Sequence, residues 1–206
     1  FTQKTGIFLH RRIIKKVPPR LGLVLSLLGT FVLSYFAVTG LLFSSFLKVS
    51  DSIFGTRDHT APQGISQPVD PNRSGSPDSL ITWDTIGFQG RGFVGSGPTK
   101  AAISRYYDGQ PAKDPVRVYA GLASSTSAQG RANLAVAELK RTKAFERDVL
   151  VIATATGTGW IDPSAADSLE YMHRGNTAIV SQQYSYLPSW ISFLVDQERA
   201  EEALSE

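Results

Sequence analysis

The 206-residue sequence contains no cysteine, which excludes disulfides, thiol nucleophiles and thiolate metal sites. Histidine is scarce: His10 precedes the longest apolar run, His59 follows it, and His173 stands near the end of a helical pattern. No two of them have metal-ligand spacing, and none has a serine and a carboxylate set beside it, so neither a metal nor another cofactor is expected. A G-x-S-x-G element is missing as well; Gly95-Ser96-Gly97 lacks the preceding strand and the spacing. No basic stripe with interleaved aromatics occurs after residue 48, so the net charge of +3 gives nucleic acid little support as a partner. Methionine occurs only at 172, the first residue is Phe1, and the closing stretch from Asp196 carries no helix-stop glycine or proline. Both ends read as parts of a longer protein.

Charge is absent altogether from residues 21–47. As a helix this run would rise about 40 Å, enough to cross a hydrocarbon core of about 30 Å. Arg11, Arg12, Lys15, Lys16 and Arg20 stand before it, against Lys48 and Asp51 after it. The asymmetry predicts a transmembrane helix in the plasma membrane, with residues 1–20 cytoplasmic and the rest outside. A signal peptide fits less well, because the run is too long and no small-x-small site follows directly. Gly22, Ser26, Thr30 and Ser34 recur every four residues, a small-residue face that suits contact with other spanning helices.

Residues 48–97 form a Pro/Gly/Ser-rich connecting segment with Pro62, Pro68, Pro71 and Pro77. A tether and a segment lying over a folded surface share that composition. Asn72-Arg73-Ser74 matches a glycosylation acceptor pattern. Trp83, Phe88 and Phe93 stand among glycines and are expected to pack the segment down.

Residues 98–206 read as an incomplete α/β domain, of a size consistent with a single soluble unit of about 110–130 residues. Short helical signals follow Pro98. Strands are expected at 116–120, 148–154 and 177–183, the second apolar enough to be covered on both faces. Helices are expected at 128–141, with Ala132, Ala135, Val136 and Leu139 inward, and from Asp162-Pro163, with Ala165, Leu169 and Met172 inward. Asp167 and Glu170 then fall on a solvated polar face. A last helix begins at Pro188. Strands alternating with helices at this spacing imply a mainly parallel sheet.

Function in such sheets gathers at the carboxyl ends of the strands. Gly157, Thr158, Gly159 and Trp160 leave the most apolar strand, and their backbone amides are candidates for an oxyanion hole. A tight glycine turn with Trp160 packed as a lid is the alternative. Gln183, Tyr184 and Tyr186 leave the third strand and are candidates for a substrate wall, or else simply brace the strand-to-helix turn.

Three stretches together resemble the membrane-anchored α/β-hydrolase family of actinobacteria. They are Pro71-Asn-Arg-Ser-Gly-Ser-Pro-Asp-Ser-Leu-Ile-Thr-Trp83-Asp84, Val116-Arg-Val-Tyr-Ala-Gly-Leu122, and residues 151–196 with Thr-Gly-Thr-Gly-Trp and Gln-Tyr-Ser-Tyr-Leu-Pro-Ser-Trp. The resemblance implies a bundle of spanning helices, of which 21–47 would be the last, followed by an extracytoplasmic hydrolase domain. It also implies a serine nucleophile on an elbow beyond residue 206, and an oxyanion-hole amide from the loop after 148–154. No position here matches the triad, so no catalytic residue is assigned. The implied activity is a serine hydrolase or acyltransferase acting on a cell-envelope ester. The competing expectation is a non-catalytic, membrane-anchored α/β binding or structural subunit. In either case the apolar sheet edge calls for cover by the rest of the protein, a partner or an oligomer.

Overall fold

The computed structural model describes residues 18–191, except for the side chains of 19–20, 23, 41–44, 46–48 and 50–54. The expected cytoplasmic flank up to residue 17, and the last helix past Ile191, lie outside the described residues. The chain divides into two compact units, Phe1–Val49 and Ser50–Glu206.

Helix α1 spans Pro19–Asp58 without a break and is thus longer than the expected 21–47. Among the described residues, no helix is long and apolar enough to cross a membrane. The spanning helix expected at 21–47 is not met there, because the unbroken stretch of described side chains, 24–40, rises only about 26 Å. Within that stretch the apolar side chains are exposed, Phe31 at 69% and Leu33 at 73%. The hydroxyls of Thr30 and Thr39 donate back to the carbonyls of Ser26 and Tyr35, so they are satisfied inside the helix.

The second unit is built on three parallel strands, β1 (Val116–Ala120), β2 (Val149–Ile152) and β3 (Thr177–Gln182), in the order β1-β3-β2. β3 is central: Val118 and Ile152 both align with Val180. Before the sheet come α2 (Phe88–Gly95) and α3 (Lys100–Tyr106). The crossovers are α4 (Ala128–Arg141) and α5 (Pro163–Met172). The expected strands and crossover helices are therefore present, with β2 and β3 slightly shorter. Local chemistry sets the helix starts. The Thr99, Ser127 and Asp162 side chains accept from Ala102, Gly130 and Ser164 amides, and Pro163 occupies the first turn of α5.

Three packing expectations are corrected. β2 is not covered on both faces: Ile152 is 83% exposed, and Leu150 also faces out. The inward face of α5 is carried by Ala166 and Glu170, with the expected Leu169 partly buried against the core, while Ala165 and Met172 are exposed. The rotation has an electrostatic cause. Glu170 is fully buried, and its two oxygens accept from Nε and Nη2 of the fully buried Arg117 at 2.8 and 2.7 Å. Asp167 accepts from the same guanidinium at 2.5 Å with its side chain 40% exposed, so of the two carboxylates expected on a solvated face it is Glu170 that turns inward. In the third correction, the described part of the connecting segment is no free tether. Asn72 and Ser74 bond the outer edge of β1 through the backbone of Arg117, and the Arg73 guanidinium donates to the carbonyls of Val94, Ser96 and Pro98. Ile81, Ile86, Phe93 and Val94 of this segment enter the same core as Val116, Val118 and Ile179.

Candidate functional site

The carboxyl ends of all three strands meet around a buried polar group. The Tyr119 side chain, on β1, is fully buried; its hydroxyl donates to the Gly159 carbonyl at 2.7 Å, and burial pushes the phenol well above its ordinary pKa. Gln183, just past β3, is 1% exposed. Its amide nitrogen donates to the Ser185 carbonyl at 3.0 Å and, more weakly, to Asp58 and the Thr158 carbonyl, while its oxygen accepts from the Leu122 amide. Asp58, the last residue of α1, accepts from the Phe88 amide at 2.9 Å and so caps α2. Burial raises the Asp58 carboxyl pKa, and the bonds from Phe88 and Gln183 only partly oppose the shift.

Residues 156–159 form a β-turn closed by the Gly159 amide donating to the Thr156 carbonyl at 2.8 Å. The Trp160 amide donates to Thr156 Oγ1 at 3.2 Å, and the Gly157 amide to Ser189 Oγ at 2.9 Å. The Thr158 amide, at the tip of the turn, has no partner among the described residues. Both glycines are required by packing. A Cβ on Gly157 would run into the Leu187 carbonyl, and one on Gly159, at φ 88°, into the Tyr119 hydroxyl. The turn is thus wedged between the ends of β1 and β3.

The structure brings Gly157, Thr158 and Gly159 together with Gln183, sets Tyr186 beside Thr158, and turns Tyr184 and Trp160 toward other clefts. Gln183 is buried in the network and presents no wall. Tyr184 joins an apolar groove of about 240 Å³ on the open side of β2, with Val136, Leu139, Phe145, Leu150 and Ile152. Tyr186 lines a cavity of about 40 Å³ with Asp58, Phe88 and Thr158. Trp160 is no lid: its indole is 42% exposed. Sequence reasoning missed Asp58 and Tyr119. The Asp58–Gln183 pairing joins residues 125 positions apart, and no local pattern announces it. Among the described residues, no group of three or more His, Asp or Glu side chains could hold a metal ion.

Two family models match the chain: one described as alpha/beta-hydrolase family over residues 116–206, and one as alpha/beta-hydrolase family N-terminus over residues 1–98. No curated protein and no solved structure matches it. The first match begins at β1 and takes in the parallel sheet with its strand-end turns; the second takes in α1, the segment clasped onto β1, and α2. Between them they leave only the stretch around α3 unmatched; each spans a little under half of the chain, and over both stretches the chain is similar to an alpha/beta-hydrolase family.

Proposed function

We propose that this chain is the amino-terminal portion of a membrane-anchored, extracytoplasmic serine hydrolase or acyltransferase acting on a cell-envelope ester. The observation that carries the reading is the turn at 156–159. It stands at the carboxyl end of β2, held from behind by Tyr119 and Gln183; among the described residues the Thr158 amide has no partner and the Gly157 amide is bonded only to a hydroxyl. Backbone N–H groups fixed in this way can meet an oxyanion without reorganising. Gly157 and Thr158 are the donors proposed for it. The amides of Gly159 and Trp160 are committed to Thr156 and serve to shape the turn.

In this reading the nucleophile belongs to sequence beyond residue 206, placed beside the exposed edge of β2. The resemblance to actinobacterial membrane-anchored hydrolases and the exposed apolar side chains of α1 support attachment to the plasma membrane. The competing reading is an anchored binding or structural subunit. The test is the intact mass of the native polypeptide, followed by labelling with a serine-reactive phosphonate and peptide mapping. A mass well above 22.4 kDa with a labelled serine outside this sequence supports the hydrolase. An unlabelled protein of that mass sinks it.

A further inference from the structure

A second cleft, of about 320 Å³, opens between the turn at 62–65, α2 and the loop at 160–163, all within the second unit. Phe93, Ile65 and the partly exposed Trp160 indole line it. Gln63 and Gln89 line it, and neither side-chain amide is bonded to another described residue. Arg117 also borders the cleft, but its charge is answered by Glu170 and Asp167, and its guanidinium lies 4.7 Å from the centre of the Phe93 ring.

These features select the chemistry of an occupant. An anion meets no unpaired cation among the residues lining the cleft, and no carboxylate lines it to hold a cation. A planar base would be best served by two open ring faces, yet Arg117 takes a face of Phe93, leaving the Trp160 indole as the exposed platform. Primary amides offer donors and acceptors together, as hydroxyl groups require. A volume near 300 Å³ suits one or two small rings. We propose that this cleft binds a neutral carbohydrate ring stacked on Trp160 and hydrogen-bonded by Gln63 and Gln89. Trp160 directly follows the 156–159 turn, so the carbohydrate is the alcohol portion of the ester. That last step rests on the proposed oxyanion turn; the binding does not.

The test is ligand-observed saturation-transfer NMR on the full chain, in a detergent without a sugar headgroup. Maltose, sucrose and N-acetylglucosamine are the probes, with glucuronate and adenosine as contrasts. Saturable binding of at least one neutral sugar is expected. Trp160→Ala should weaken it about tenfold and Trp160→Phe should retain most of it. Far-UV circular dichroism verifies that both variants fold. Gln89→Leu should weaken binding while leaving the stacking contact. The proposal is overturned if no neutral sugar binds, if Trp160→Ala binds equally well, or if adenosine binds tighter than every sugar. Sugar binding in a protein that no serine-reactive probe labels would overturn the hydrolase reading alone.

Discussion

Arg117 decides more of this structure than any apolar side chain. It is fully buried on β1, yet its guanidinium donates to Glu170, Asp167 and the Phe93 carbonyl, tying α5 and α2 to the same strand. Burial works against its charge, but the bonds and charges of Glu170 and Asp167 outweigh that and raise its pKa. Removing one partner strands the other in a dry interior. Arg117→Met is therefore expected to destabilise by about 3–5 kcal/mol, whereas Arg117→Met with Glu170→Leu recovers most of the loss. Thermal or denaturant unfolding of both variants measures the difference; an equal loss in the double variant would mean that the pair itself contributes net stability. Asp58 gives a prediction in pH. Its carboxyl holds a proton to higher pH when folded than the ordinary value of 3.8, because burial penalises the charge. The folded state thus binds more protons, and the contribution of Asp58 to stability declines as pH rises from about 3.8 through the raised value. Asp58→Asn keeps an acceptor for the Phe88 amide and cannot ionise. Its melting temperature should gain on the native chain across that interval and run parallel above it. A difference independent of pH would detach the ionisation of Asp58 from folding.

Among the elements, β2 is the exposed liability. Among the described residues it pairs only with β3, and Leu150 and Ile152 face the groove beside Val136 and Phe145 of the neighbouring elements. An open parallel edge with apolar side chains invites intermolecular pairing. Ile152→Lys should lower concentration-dependent association of the isolated chain, read by analytical ultracentrifugation. Stability should change by no more than about 0.5 kcal/mol, since the side chain is exposed. Unchanged association would place the sticky surface elsewhere. The same element shows where reading the sequence stops. Its β-branched run announces a strand but cannot say which face is left open, because that depends on what lies beside it. β1, β3 and the span of α4 were legible from local periodicity and capping residues, although Val136, expected inward, is 43% exposed and Glu138 is buried beside Leu139 instead. α2 was not, because its three glycines hide a helix stabilised from a distance, by Asp58 at its start and by Arg91 reaching the carbonyls of His59, Trp83 and Asp84. The inward face of α5 was misread by one position for a similar reason: hydropathy cannot foresee a glutamate drawn in by an arginine on a neighbouring strand. Within the candidate site the glycine turn was visible, while Tyr119 and Asp58, which hold it, were not.

At the scale of the whole molecule, the open question is what surrounds the first unit. Leu27, Phe31, Leu33 and Phe36 are each more than 60% exposed. At 100° per residue they fall on different sides of α1, so the apolar surface encircles the helix and forms no single stripe. Soluble helices bury such surface on one side; a lipid environment satisfies all sides at once. The threonines that bond their own helix backbone suit the same surroundings. The chain is accordingly expected to stay in the membrane pellet after alkaline carbonate extraction. Leu28→Arg combined with Phe36→Arg places two charges within the apolar stretch, each costing about 2.5–3.5 kcal/mol near a bilayer centre, and should release it. Under the proposed anchoring, the basic residues before the helix predict its direction. Alkaline phosphatase fused after Lys48 should be active outside the cytoplasm, and the same reporter fused after Arg20 should be inactive. Extraction of the native chain by carbonate would remove the anchor. Firm retention with an inactive Lys48 fusion would keep the anchor but reverse it, putting the hydrolase domain in the cytoplasm and taking away the basis for a cell-envelope substrate.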